Sequence, residues 1–171
     1  QVVISTDIDE IHANANCVCI DGPKELAGAH VRSEEVLIHV LDEMQARFET
    51  QYKTIALLQP TSPFRSMISL RKGLKLFDEH NLETVVSVSE LDDGSWYLNS
   101  DNLLFQRTSI DHYWETPVRV KPNGNFYLIS ADSLLSERKI FSKEHVRGIL
   151  LNDPIESLDI DTEEDWKLAT V

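Results

Sequence analysis

Short apolar runs and longer amphipathic stretches alternate along the chain. Apolar runs of four or five residues that end at polar, Gly or Pro residues predict strands, whereas apolar side chains spaced three and four apart predict helices. The clearest helix begins near Ser33 and places Leu37 and Met44 on its apolar face. Another follows Ser66, which can cap it. Strands are predicted at 2–5, 17–20, 54–58, 84–88, 126–129, 148–151 and 158–160, and shorter helices at 9–15, after Ser130 and after Thr162.

This order of elements predicts an α/β fold. Strands that are separated by helical stretches form a mostly parallel sheet with helices on both faces. We expect residues 1–171 to form a single domain, with residues 89–120 as an excursion from its core because their periodicity is weak. The aromatic residues between 96 and 114 fit either a dimer contact or local core packing. Ligands of such sheets bind at the carboxyl ends of the strands, so the loops there are the first place to look for chemistry.

Charge and cysteine content narrow the classes of partner. The 171 residues include 16 basic and 29 acidic side chains, a formal net charge of −13, which argues against nucleic acid and anionic membranes as partners. An anionic ligand would therefore need a divalent cation to help hold it. Cys17 and Cys19 are too close in sequence to staple a loop, and they fit buried thiols of a cytoplasmic protein.

The strongest local signal is a pair of carboxylates near the end of the chain. Asp159 and Asp161 flank Ile160, and on a strand residues i and i+2 point to one face. Two like charges at close range favour a bound cation, and Mg²⁺ suits one or two carboxylates with water and phosphate filling its other positions. The competing interpretation is a strand end with a helix cap, in which Asp161 pairs with Glu164 or Thr162 with Asp165.

A second signal follows the predicted strand at 54–58. Gln59, Pro60, Thr61, Ser62 and Arg65 lie in the run Q-P-T-S-P-F-R, whose two prolines prevent regular structure. Its amide and hydroxyl groups can donate and accept hydrogen bonds, and its guanidinium can grip a phosphate or carboxylate with two bonds. A rigid turn with a surface arginine explains the same run equally well.

A third signal is the run K-P-N-G-N-F-Y at residues 121–127. Its basic residue precedes Asn123-Gly124, where glycine permits close backbone approach to a ligand. An ordinary hairpin turn is the simpler interpretation of this dipeptide. The sequence contains no Walker-type phosphate loop, dinucleotide-binding glycine fingerprint, zinc-protease motif or serine-hydrolase elbow.

Together these runs resemble the acylneuraminate cytidylyltransferases, the CMP-sialic acid synthetase family. The run L-L-Q-P-T-S-P-F-R at 57–65 resembles the family's L-L-Q-P-T-S-P-[LF]-R signature. V-I-S-T-D at 3–7, K-P-N-G at 121–124 with Tyr127, and S-L-D-I-D-T-E-E-D at 157–165 are similar to three further family segments in the same order. The resemblance covers essentially the whole chain.

The resemblance implies a Rossmann-like nucleotidyltransferase, usually dimeric, that transfers CMP from CTP to an acidic nine-carbon sugar and releases pyrophosphate. On this basis Asp159 and Asp161 hold Mg²⁺, and Gln59 orients the sugar. Further substrate contacts are carried over to Pro60, Thr61, Ser62, Lys121, Asn123 and Tyr127, with Phe141 as an apolar wall; Arg65 is added on its chemistry alone.

The family also has a glycine-rich, basic phosphate loop of the type I-P-A-R-G-G-S-K, which is not in these 171 residues. We expect that segment to precede this sequence or to come from another chain, or else the sheet to close in a different way without it. The alternatives to an active enzyme for a nonulosonic acid are an inactive homologue or nucleotide-sugar binding module, and a nucleotidyltransferase for a different sugar.

Overall fold

A computed structural model describes residues 1–28, 30–90, 96–98, 101–105, 118–142 and 145–170. The chain divides into two compact units. Unit 1 is Gln1–Lys53 together with Ala131–Ile140, and unit 2 is Thr54–Ser130 together with Phe141–Val171.

Unit 1 consists of a small parallel sheet and helices. Its two strands pair in parallel from Val3↔Val18 to Thr6↔Asp21. Buried apolar side chains come mainly from the helices, and Ile20 is the buried residue of the second strand. The elements are β1 (Val3–Thr6), α1 (Asp9–Asn14), β2 (Val18–Asp21), a short 3-10 helix (Lys24–Leu26), α2 (Ser33–Phe48) and α4 (Ala131–Glu137).

Unit 2 is built on one sheet of six strands. Along the sheet the order is β6-β5-β7-β4-β8, and β3 also pairs with β7. The elements are β3 (Thr54–Leu57), α3 (Met67–Glu79), β4 (Thr84–Glu90), β5 (Trp96–Leu98), β6 (Leu104–Phe105), β7 (Val118–Ser130), β8 (Val146–Leu150) and α5 (Glu163–Ala169).

The prediction of a mostly parallel sheet is wrong for unit 2, whose sheet is mixed. The pair β4–β8 is parallel, whereas β7 is antiparallel to β3, β4 and β5. A parallel neighbour requires a long crossover connection, usually a helix. The chain between β4 and β7 instead contributes the strands β5 and β6, so β7 runs back against β4. The placement of helices on both faces stays a prediction.

The pairing of β4 with β7 is interrupted by a large bulge. Val86 pairs with Tyr127 and Val88 with Pro122, so one residue of β4 faces four residues of β7, numbers 123–126. The prediction of a hairpin turn at Asn123-Gly124 is therefore wrong, because both residues lie inside β7. A turn-forming dipeptide also suits a bulge, where the backbone must leave the ladder.

The two faces of the unit 2 sheet bury separate apolar clusters. Val85, Phe126 and Leu128 pack with Phe77 of α3 on one face, and Val86, Val88 and Val120 lie in the cluster on the other. Gly73 of α3 permits the close approach, since a β-carbon there would lie 2.7 Å from the Phe126 ring. The alternation along β4 is the ordinary two-residue period of a strand.

Several local predictions are confirmed. The helix predicted from Ser33 is α2, and Ser66 caps α3 by accepting a hydrogen bond from the Ile68 amide. Thr162 and Asp165 form a reciprocal capping box at the start of α5. The strand predicted at 158–160 is wrong, because those residues have no strand structure.

The excursion predicted at 89–120 lies partly outside the described residues. The part that is not described consists of residues 91–95, 99–100 and 106–117. Its dimer role stays a prediction. Cys17 and Cys19 are free thiols, half-buried rather than fully buried as predicted. Across the described ranges, no helix combines the length and apolar character needed to cross a membrane.

Candidate active site

Three segments of unit 2 meet at one place, which we call the junction. They are the turn at residues 59–65 after β3, the bulge at 123–126 within β7, and the segment at 156–160 before α5. Two of the three signals in the sequence lie in the first two segments, and Asp159 lies in the third.

Ser62 contacts both of the other segments. Its side chain is fully buried, and its hydroxyl donates a hydrogen bond to the Asn123 carbonyl oxygen at 3.0 Å. The same Oγ lies 3.4 Å from Oδ1 of Asp159. A single hydroxyl at this point therefore links the turn, the bulge and the candidate metal-binding carboxylate.

The Asn123 side chain, only 2% exposed, holds the bulge to β4. Its Oδ1 accepts hydrogen bonds from Ser87 Oγ at 2.6 Å and from the Asn125 amide at 3.3 Å. Its Nδ2 donates to Ser89 Oγ at 2.9 Å. The Phe126 amide donates to Ser87 Oγ at 2.9 Å. The backbone groups that the bulge removes from the ladder thus regain partners from side chains.

Gly124 lies where the three segments are closest. Its φ of +76° is in the region that side-chain-bearing residues rarely adopt. A β-carbon at this position would lie 2.6 Å from Gln59 Oε1, 2.8 Å from Ser62 Oγ and 3.4 Å from Asp159 Oδ1. Both the conformation and the available space therefore require glycine.

The Arg65 side chain is half-buried and binds two backbone carbonyls. Its Nη2 donates to the Gln59 oxygen at 3.0 Å, and its Nε donates to the Asn125 oxygen. Burial lowers the pKa of this guanidinium. These bonds fasten the turn to the bulge, a role that fits the rigid-turn interpretation. A contact between Arg65 and an anionic ligand stays a prediction.

Asp159 is held by bonds on either side of it. The Ile160 amide donates to the Thr61 oxygen at 2.8 Å. On the other side, Asn125 Nδ2 donates to the Glu156 oxygen at 2.7 Å. Asp161 differs from its neighbour because it is exposed, and its amide donates to Asp165 Oδ2 at 3.1 Å.

Tyr127 and Phe141 form the aromatic side of the junction. Their ring centroids are 6.3 Å apart in an edge-to-face arrangement. Burial raises the pKa of the Tyr127 phenol, the negative charge of Asp159 adds to the rise, and a hydrogen bond with the Gly124 backbone opposes it. At neutral pH the phenol is therefore protonated and can donate a hydrogen bond.

The structure thus brings together Gln59, Ser62 and Arg65 with Asn123, Tyr127 and Asp159, and it places Thr61 and Phe141 beside them. Pro60, Lys121 and Asp161 are exposed. The charge of Lys121 is close enough to Asp165 to contribute to the lowered pKa of that carboxyl, whose main cause is the hydrogen bond from Thr162.

Sequence reasoning missed Ser87, Ser89 and Asn125. The two serines alternate with valines in a strand that is otherwise apolar, and this was the available signal: a polar residue in a buried strand needs a partner. Nothing in the sequence distinguishes Asn125 from an ordinary turn residue.

A solved structure shows which class of fold the chain has. The described structure matches 4-diphosphocytidyl-2C-methyl-D-erythritol synthase from Anaerococcus prevotii with a TM-score of 0.54, covering 94% of this chain and 73% of that one at 10% identity. The chain therefore shares the α/β fold of that synthase. No protein-family model matches the chain.

Sequence relatives give the family. The chain is 32% identical over 186 residues to CMP-N,N'-diacetyllegionaminic acid synthase of Legionella pneumophila, covering 99% of this chain and 76% of that protein. It is 30% identical over 185 residues to N-acylneuraminate cytidylyltransferase of Escherichia coli, of which it spans 41%. The chain belongs to the family of acylneuraminate cytidylyltransferases and CMP-nonulosonic acid synthases, as the motifs predicted.

Proposed function

We propose that this protein transfers CMP from CTP to a sialic acid or a related nonulosonic acid and releases pyrophosphate. The observation that carries the proposal is the convergence of Gln59, Ser62 and Asp159 on Gly124. The amide, hydroxyl and carboxylate oxygens of these three residues lie within 3.4 Å of the place that a β-carbon of this buried glycine would take, so the fold holds the three polar groups close together. Family membership supports the reaction class.

Mg²⁺ is the cofactor that we propose for Asp159 and Asp161. Within the described part of the chain, no group of three or more His, Cys, Asp or Glu side chains is arranged to hold a metal ion. Mg²⁺ does not need such a cage, because it commonly binds one or two carboxylates and takes water and substrate phosphate for the rest. The oxygen donors therefore fit. When bound, the ion would offset negative charge on the triphosphate.

The other groups in and beside the junction would bind and orient the acid sugar. The Gln59 amide can both donate and accept, and the neutral Tyr127 phenol can donate. Phe141 supplies an apolar surface, and the exposed Lys121 supplies a cation for a carboxylate. Asn123 would act through shape, because Oδ1 already accepts two hydrogen bonds and Nδ2 donates one. Holding two reactants in line accounts for much of the rate in such transfers.

Pyrophosphate release tests the proposal. The purified chain is given Mg²⁺ and CTP with N-acetylneuraminic acid or N,N'-diacetyllegionaminic acid, and the other three nucleoside triphosphates run in parallel. We expect release with CTP and an acid sugar only. Asp159→Asn should reduce it by about 100-fold, the scale of losing one charged group in an active site. Asp78→Asn, on the exposed surface of α3, is the matched control and should leave the rate unchanged.

Two results would contradict the proposal. A preference for UTP, GTP or ATP would favour transfer to a different sugar. No release with either acid, despite binding of one of them, would favour a binding module. A homodimer is part of the same proposal, and sedimentation of the chain tests it separately.

A further inference from the structure

Asn125 lies in the junction and takes no part in the proposed reaction. It is fully buried, and it contacts all three segments. Its amide donates to Asn123 Oδ1, its carbonyl accepts from Arg65 Nε, and its Nδ2 donates to the Glu156 oxygen at 2.7 Å.

The orientation of the Asn125 side chain is fixed by its partner. A backbone carbonyl can only accept, so the Nδ2 group must face Glu156, and a flipped amide would place two oxygens together. Oδ1 is left buried without a hydrogen-bond partner among the described residues. An unpaired buried acceptor is unfavourable. The unpaired Oδ1 gives no reason for an amide here, so the bond from Nδ2 to the Glu156 carbonyl is the feature that requires one.

That bond lies three residues before Asp159. On the other side, the Ile160 amide bonds to Thr61, so Asp159 lies between two attachments to different segments. The Asn125 attachment fixes the segment to the bulge, and the Ile160 attachment fixes it to the turn. Without the first, one side of the loop that carries Asp159 loses its connection to β7.

We propose that Asn125 is a positioning residue, which holds Asp159 in place through the Glu156 carbonyl. The effect of Asn125 on catalysis rests on the proposed function, whereas its effect on the position of residues 156–160 does not. Asn125 touches none of the groups proposed to react, so it acts through the backbone of residues 156–160.

Two variants remove the bond in different ways. Asn125→Leu keeps the branched side-chain shape and removes the donor, and Asn125→Ser keeps a polar group that is too short to reach Glu156. Both retain the backbone carbonyl that Arg65 binds. Asn152→Leu, at an exposed position of the same unit, is the matched control.

Hydrogen exchange of the Ile160 amide is the readout that does not depend on activity. We expect it to accelerate at least about 10-fold in both variants, while the Leu128 amide in the centre of β7 changes much less. A purely structural role would accelerate both amides together through global unfolding. Thermal melting curves establish that each variant is folded, and if one is not, the other decides.

Kinetics provide the second readout. In an active wild type, kcat should fall about 10- to 100-fold in both variants with little change in KM for the acid sugar, since small misplacement of a reacting group costs rate. Unchanged Ile160 exchange in a folded variant, or equal acceleration at Ile160 and Leu128, would overturn the positioning role. An inactive wild type would count against the proposed function alone, because the exchange comparison still decides the inference.

Discussion

The junction of unit 2 and the small sheet of unit 1 both carry sequence runs that resemble the same family, yet they are built differently. In unit 2 the runs lie against a strand whose residues Val85, Val86 and Val88 are fully buried. In unit 1 every residue of β1 is only half-buried, α1 has no buried residue, and Val2 is 70% exposed. A family motif therefore does not by itself identify a rigid site.

The difference lies in how buried polar groups are satisfied. Ser62, Ser87, Asn123 and Asn125 are buried, and each forms hydrogen bonds with another segment of unit 2. Such networks fix a unique geometry when their members are paired. Substitutions in unit 2 should therefore cost more stability than matched substitutions in unit 1.

Removing an aromatic ring from the core should give the largest difference in stability loss between the two units. Phe126→Ala empties a fully buried site against α3 and should lower the free energy of unfolding by about 3–5 kcal/mol. Ile4→Ala, in the half-buried β1, should cost about 1 kcal/mol or less. Urea denaturation of both variants measures the difference. Equal losses would mean that β1 is as well packed as the sheet of unit 2.

Removing a buried side-chain amide should cause the second-largest loss of stability. Asn123→Ala leaves the buried Asn125 amide without its acceptor, at about 1–3 kcal/mol, and removes one bond of Ser87 Oγ, which still bonds Phe126, at about 0.5–1.5 kcal/mol; together they predict a loss of about 1.5–4.5 kcal/mol. Asn14→Ala removes an exposed side chain of α1 and should change stability by less than about 0.5 kcal/mol. A loss for Asn123→Ala as small as for its control would show that the network is not needed.

Adding a methyl group should have a smaller but site-specific effect. Gly124→Ala forces a positive φ on alanine and pushes against Gln59 and Ser62, at a cost of about 1–3 kcal/mol. The nearest atom to a β-carbon at Gly22 is 3.5 Å away, an ordinary contact, so Gly22→Ala should be neutral within about 0.5 kcal/mol. Melting temperatures of the two variants compare them directly, and a destabilised Gly22→Ala would reverse the expected order.

The weakest effect is expected from pH in unit 1. Burial alone would raise the pKa of Glu34, but hydrogen bonds from backbone amides and from Arg32 outweigh it and lower the pKa below its ordinary 4.5. The unfolded chain therefore binds this proton more readily, so the stabilisation is present above about pH 4.5 and is lost as pH falls. Solvent screening keeps it below about 1 kcal/mol. Glu34→Gln should remove this part of the acid dependence; an unchanged pH profile of stability would rule it out.

The sequence predicted local elements better than their pairing. Helix α2 and the caps at Ser66 and Thr162 depend on neighbouring residues, and the structure confirms them. The bulge of β7 depends on Ser87 and Ser89, which are more than 30 residues away in sequence. No local pattern could show that Asn123-Gly124 lies inside a strand.

The sequence indicated which residues belong to the candidate site, but not how they are arranged in space. Asp159 and Asp161 were expected to point to one side of a strand, but residues 158–160 form no strand, and the Ile160 amide bonds to the turn at Thr61 instead. The i, i+2 pattern predicts hydrogen bonds to a neighbouring strand. The Ile160 amide instead bonds to Thr61, almost one hundred residues away in sequence. The meeting of Ser62 with Asp159 across β7 has the same long-range origin.

The central claim is that the junction binds the substrates, and mapping of backbone amide shifts tests it most directly. CTP with Mg²⁺ and N-acetylneuraminic acid are titrated separately into the labelled protein. We expect the largest shifts at residues 59–65, 123–127 and 159–161. Saturable binding that leaves those amides unmoved while others shift would contradict it.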